Sequence, residues 1–136
     1  MIQRFKEFLR KELPDHTVDS DKEKVFSFTH AGLSFMFISE TERPHYFRIL
    51  LPGIYTISPT DEDSEKIRLY NIIDQMNAKY IVAKSFVIDN DIWIAVEQLV
   101  FSYNNIDSLF ELCIEILLAV YNEYKKELTK PTDTNE

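Results

Sequence analysis

Three histidines, a run of acids and a lone cysteine are the residues through which this chain could do chemistry, and none stands at a spacing that chemistry requires. His16, His30 and His45 fall in separate loops or strand edges, whereas a zinc site asks for His-x-x-x-His or similarly close ligands. Asp89-Asn90-Asp91 invites a calcium reading, but Ile94 stands where the loop needs glycine and Val100 where it needs a bidentate Glu. The triplet therefore reads as a turn. Asp61, Glu62, Asp63 and Glu65 are accounted for by the positive end of a helix dipole. Gly32 and Gly53 are the only glycines, which leaves no nucleophile elbow, no P-loop and no dinucleotide fingerprint. Ser85 and Ser102 have no suggestive neighbours. Cys113 lies in an apolar run and reads as a small buried hydrophobe. As the sole cysteine it excludes an internal disulfide and a multi-cysteine zinc site. No catalytic residue, metal or cofactor is expected. Carboxylates distant in sequence can still converge in a fold, so an enzyme with a site invisible at this level stays open.

Aromatic residues are plentiful, 10 Phe, 7 Tyr and 1 Trp, and an aromatic sheet can stack bases. Few cations interleave with them: Arg43, Arg48, Lys79 and Lys84. The formal net charge of −8 repels phosphate backbones and anionic membrane alike. Neither nucleic acid nor membrane is expected as a partner; a nucleic-acid or small-ligand sensor would need a basic stripe on the folded surface. The N-terminal residues Met1 to Leu13 alternate charged with apolar groups, unlike a signal peptide. The apolar run from Leu109 to Tyr121 is interrupted by Glu111 and Glu115 and is too short to span a bilayer. A cytoplasmic protein is expected.

The elements that would position any site follow from periodicity. The length of 136 residues fits one domain, expected over residues 1–128, with 129–136 a disordered tail. Ile2, Phe5, Leu9 and Leu13 mark a first helix, stopped by Pro14. The polar stretch from Asp15 to Lys24 reads as a loop. Phe26 and Phe28, then Leu33, Phe35 and Phe37, alternate with polar or smaller neighbours across a His30-Ala31-Gly32 turn. A third strand runs from His45 to Ile57, broken near Pro52-Gly53. Ser58-Pro59-Thr60 supplies a hydroxyl cap for a middle helix carrying Leu69, Ile72, Ile73 and Met76 on one face and ending near Asn77. Tyr80–Ile88 and Ile92–Phe101 form a hairpin. A last helix, capped by Asp107, reaches Leu128. The fold class is α+β: an antiparallel five-stranded sheet with three helices, in the order helix, three strands, helix, two strands, helix.

The last helix is the most apolar element. Phe110, Ile114, Leu117, Tyr121, Tyr124 and Leu128 form one continuous heptad stripe. Leu109, Leu112, Cys113, Ile116 and Val120 form a second. One stripe can face the sheet. Leaving the five residues of the other wet forfeits about 1.5–3 kcal/mol each, roughly 8–15 kcal/mol together, comparable with the about 5–15 kcal/mol that stabilises a whole domain. Its cover is either another helix of the same chain or a partner. Both hairpin strands also carry apolar groups on two faces: Tyr80, Val82, Phe86 and Ile88 against Ile81, Ala83 and Val87, then Ile92, Ile94 and Val96 against Trp93, Ala95 and Leu99. A sheet with a wet outer face would be polar there.

The segment Leu69-Tyr-Asn-Ile-Ile-Asp-Gln-Met-Asn77, with Tyr80-Ile-Val-Ala-Lys-Ser-Phe-Val-Ile88, the turn Asp89-Asn-Asp91 and Ile92-Trp-Ile-Ala-Val96, resembles the YbjN-type family of the type III secretion chaperone-like fold. The element order fits that fold across about residues 1–128. The resemblance implies a non-enzymatic binding or regulatory protein, commonly a homodimer, that contacts itself or a client polypeptide and has no catalytic motif to transfer. The expected protein-binding residues are Trp93, Phe101, Phe110, Ile114, Leu117, Tyr121 and Tyr124.

Overall fold

A computed structural model describes residues 1–130 and has the order α1 (Ile2–Glu12), β1 (Thr17–Asp21), β2 (Val25–His30), β3 (Leu33–Glu40), β4 (Arg43–Thr56), α2 (Asp63–Lys79), β5 (Ala83–Ile88), β6 (Asp91–Leu99) and α3 (Ile106–Thr129). The expected tail begins inside α3 at Thr129, and residues 131–136 of it lie outside the described residues. The chain is α+β with three helices, and the sheet has six strands in the order β1-β2-β3-β4-β6-β5, all pairs antiparallel.

The expected count of five strands is corrected by β1, which lies in the stretch read as a loop. Its sequence, TVDSD, has no apolar alternation, and its one large apolar residue, Val18, is 54% exposed. What holds it is polar. Its backbone pairs with β2, Thr29 donates to Asp19 at 2.7 Å, and Lys6 of α1 donates to Asp21 at 2.7–2.8 Å. Periodicity cannot register a strand whose partners are a ladder and two side-chain bonds.

Two tight turns set the register. Ala31 and Gly32 join β2 to β3 with φ of 54° and 76°, and Asp89 and Asn90 join β5 to β6 with φ of 49° and 68°. Paired positive φ values are the two-residue hairpin geometry that matches strand twist. The expected break at Pro52-Gly53 is a bulge within one long strand: the β4–β6 register shifts between Leu51 and Tyr55, with Gly53 at φ +54°.

The helix starts differ from expectation. Ser58 and Thr60 spend their hydroxyls on each other, 2.9 Å apart, in a turn that precedes α2, and Glu62 occupies the cap position without a side-chain bond. At α3 the cap is Asn105, in the left-handed region, and Asp107 lies inside the first turn, 4.0 Å from Arg4.

All three helices lie on one face of the sheet. Phe5 stacks on Phe37 of β3 at 4.1 Å between ring centroids and meets Phe110 of α3 edge-on at 5.0 Å, while Phe110 reaches Phe47 of β4 at 5.2 Å. Eight of the ten Phe are buried in this core, which accounts for the aromatic composition by packing.

Candidate protein-binding surface

Alternation along each strand sends half of the sheet toward the helices and half away. Inward positions are Phe26, Phe28, Phe35, Phe37, Phe47, Ile49, Leu51, Ile94 and Val96, all members of the core. The register then fixes the outward positions. Val25 opposes Ile38, Met36 opposes Leu50, Leu50 opposes Ala95, Tyr46 opposes Leu99, and Phe86 opposes Trp93. No helix packs on this outer face among the described residues.

The outer face is apolar at its centre. Leu50 and Ala95 are buried although they take no part in the helix-covered core, so their cover comes from side chains on the same face. Phe86 and Trp93 stack at 6.3 Å, and Lys84 lies 5.9 Å over the Phe86 ring. Polar groups interrupt the face, among them Ser27, Thr29, Arg48, Glu97 and Lys84. Glu97 receives Lys84 Nζ at 2.9 Å and lies 3.9 Å from Arg48 Nη1. Burial, and then the Glu97 carboxylate, push the Tyr46 phenol above its ordinary range. Arg48 Nε and Trp93 Nε1 are buried without a hydrogen-bond partner among the described residues. Such unmet donors are uncommon in folded chains.

Both edges of the sheet are partly blocked. On β5, Asn77 of α2 donates from Nδ2 to the Ser85 carbonyl at 3.1 Å and accepts the Ser85 N–H on Oδ1 at 2.6 Å. Its amide thus stands in for a neighbouring strand. On the far edge, β1 is short, bulged and acidic. Both are devices that discourage strand addition.

The expected binding residues divide. Phe110, Ile114, Leu117 and Tyr124 are buried in the chain's own core, because the heptad stripe of α3 faces the sheet; this corrects their assignment to a contact surface. Tyr121 is half-buried at the margin of that core. Trp93 stands half-buried on the outer face, and Phe101, 79% exposed, packs against His45 at 5.5 Å beyond the end of β6. The second stripe of α3 is covered within the chain. Cys113 and Val120 are buried, Leu109 and Ile116 pack against the core, and Leu112 is the exposed member at 51%. The surplus apolar surface is on the sheet, and Met36, Ile38 and Leu50 belong to it without having been singled out from the sequence. The signal that could have found them was the apolar residues at alternate positions to the buried Phe35, Phe37 and Ile49.

The residues tested for chemistry are scattered. His16 closes α1 through Nδ1 at 2.6 Å from the Leu13 carbonyl, His45 meets the Val100 carbonyl at 3.1 Å, and His30 packs near Phe35. Ser85 is buried with its backbone held by Asn77, and Ser102 accepts the Asn104 N–H at 3.2 Å. Burial pushes the Cys113 thiol up to about 12. Among the described residues no group of three or more His, Cys, Asp or Glu could hold a metal ion. A pocket of about 190 Å³ between α1 and α3 gathers Glu12, Glu111, Glu115 and His30 over a floor of Phe8, Ile114 and Leu118. Among the described residues no helix is long and apolar enough to cross a membrane. Comparison with family models, curated proteins and solved structures finds no match for this chain.

Proposed function

We propose that this chain is a non-enzymatic protein-binding or regulatory module of the type III secretion chaperone-like type, acting in the cytoplasm, which binds another polypeptide through the outer face of its sheet. The partner is either a second copy or a client chain. The observation that carries this reading is the apolar outer face, with Leu50, Ala95, Trp93 and Phe86 on it and no helix over it among the described residues. An antiparallel sheet that ends in water carries polar outward residues. A sheet that retains the half-buried Met36, Ile38, Phe86 and Trp93 there gains by covering them, at roughly 25 cal/mol for each Å² of apolar surface removed from water. The likeness of residues 69–96 to the YbjN-type family supports the chaperone-like part of the reading.

The test is affinity capture from the native host with the wild-type chain and with Met36→Lys and Phe86→Lys. Both substitutions place a charge on the outer face while leaving the helix-covered core intact. We expect wild type to retain a polypeptide that both variants lose, with unchanged far-ultraviolet circular dichroism. A partner held equally by the variants would refute the outer face as the binding surface.

A further inference from the structure

We propose that the hollow between the end of α1 and the first half of α3 is a binding site for a small organic amine, an ammonium group on a free hydrocarbon stem. The site lies on the helix side of the sheet and is independent of the outer face. Its volume is about 190 Å³. An apolar cavity of roughly 150 Å³ admits benzene, so a stem of about six carbons fits. The floor is Phe8, Ile114 and Leu118, of which Phe8 and Ile114 are 1% and 3% exposed. The mouth is Glu12, Glu111 and Glu115, all exposed, with the half-buried His30 beside them.

Glu111 and Glu115 stand four apart on α3, a spacing at which like charges repel and a Glu–Lys pair stabilises. Neither takes part in an ion pair among the described residues. Glu12 has its chain neighbour Lys11 at 3.9 Å, an exposed contact of little strength. A cation at the mouth thus meets carboxylates that the chain leaves largely unneutralised. A metal ion is the poorer fit, because no group of three or more His, Cys, Asp or Glu among the described residues could hold one, and a bare ion makes no use of an apolar floor. Acid forms the rim and hydrocarbon the floor, so a ligand enters stem first and leaves its charge outside. A lysine or arginine side chain carries its charge at the tip and would press it into the floor, where an unpaired charge is costly. A diamine has the same fault. The occupant is accordingly a monoamine whose other end is apolar. Its ammonium donates to Glu111 or Glu115, and the His30 ring, when uncharged, offers one further acceptor nitrogen.

Two-dimensional amide NMR of the full chain, titrated with n-hexylamine at neutral pH, where the amine is charged, reads affinity and place together. Saturable shifts are expected around Glu12, Glu111, Glu115 and Leu118, with β5 unmoved. Three relatives of the probe are each expected to bind at least about tenfold more weakly: n-hexanol has the stem without the charge, methylamine the charge without the stem, and hexamethylenediamine a charge at both ends. Glu111→Gln combined with Glu115→Gln is expected to weaken n-hexylamine at least about tenfold, the weight of hydrogen bonds to a charged group. Glu62→Gln combined with Asp63→Asn, an exposed acidic pair at the start of α2, is expected to leave binding unchanged. The paired glutamines relieve a repulsion on an exposed helix face, so the variant is expected to fold, and its amide spectrum reports that directly. Shifts that never saturate, or that spread over the acidic surface, overturn the site. Methylamine binding as tightly would reduce it to rim charge, n-hexanol to an uncharged hollow, and the diamine would remove the stem-first order; each result overturns the proposal. Binding that survives the paired glutamines overturns it as well.

Discussion

At the scale of single residues, Asn77 and Tyr124 make opposite predictions from neighbouring positions under β5. Asn77 answers both backbone groups of Ser85, a residue that is itself buried. Asn77→Ala leaves that N–H and carbonyl unmet, and an unsatisfied buried polar group costs about 1–3 kcal/mol. We expect a loss of that size in chemical denaturation, together with greater association, since the β5 edge is then open to strand addition. Asn77→Asp retains the acceptor for the Ser85 N–H but sets a carboxylate oxygen against the Ser85 carbonyl, so its loss is expected to be at least as large. The Tyr124 hydroxyl, by contrast, is buried without a hydrogen-bond partner among the described residues, and burial pushes the phenol to about 12. Tyr124→Phe removes an unmet group and keeps the ring. It is expected to be neutral or stabilising; a loss above about 1 kcal/mol would show that the hydroxyl finds a partner, with Ser85 the natural candidate.

At the scale of elements, one ion pair within α2 and one between α2 and α3 set an acid limb to stability. Arg68 donates to Glu65 through Nε and Nη2 at 2.9 and 2.7 Å, and this bidentate bond holds the Glu65 carboxyl below its ordinary range. Lys79, at the end of α2, does the same for Glu123 of α3, which also accepts the Tyr80 hydroxyl. A carboxyl whose folded pKa is depressed contributes stability that is present above its unfolded value, about 4.3 for Glu, and lost as pH falls through the folded value. The midpoint of unfolding is therefore expected to decline below about pH 4.3. Glu65→Gln and Glu123→Gln are each expected to lower it at neutral pH and to flatten the decline. The Glu65–Arg68 pair is partly exposed, so its contribution is at most about 1 kcal/mol. A decline unchanged in both variants would assign the acid limb to other carboxylates.

At the scale of the whole molecule, the fold was legible where burial imposes a period. Phe26, Phe28, Phe35 and Phe37 alternate because one face of their hairpin meets helices, and Leu69, Ile72, Ile73 and Met76 repeat because one face of α2 does. β1 was illegible because its bonds are polar, and the helix starts because Ser58 and Asp107 serve a turn and an ion pair instead of caps. The surface was misplaced for a related reason. Heptad spacing in α3 reports an apolar stripe without saying what covers it, and α1, α2 and the sheet do.

That shared core yields one further expectation. Cys113 sits within it, 1% exposed, with its thiol pushed up to about 12 by burial. A thiol reagent attacks the thiolate and needs access to it, so modification at neutral pH has to wait for the core to open. Helices α1 and α3 pack on the same Phe5–Phe37–Phe110 cluster, which makes local release of α3 alone costly. Labelling of Cys113 is accordingly expected to be at least about a thousandfold slower than in the unfolded chain, and to track global unfolding as denaturant is added. Phe5→Leu, which loosens the cluster without touching Cys113, is expected to speed labelling and lower stability in proportion. Fast labelling of the native chain would mean that α3 detaches on its own, and would return its heptad stripe to the list of surfaces a partner could reach.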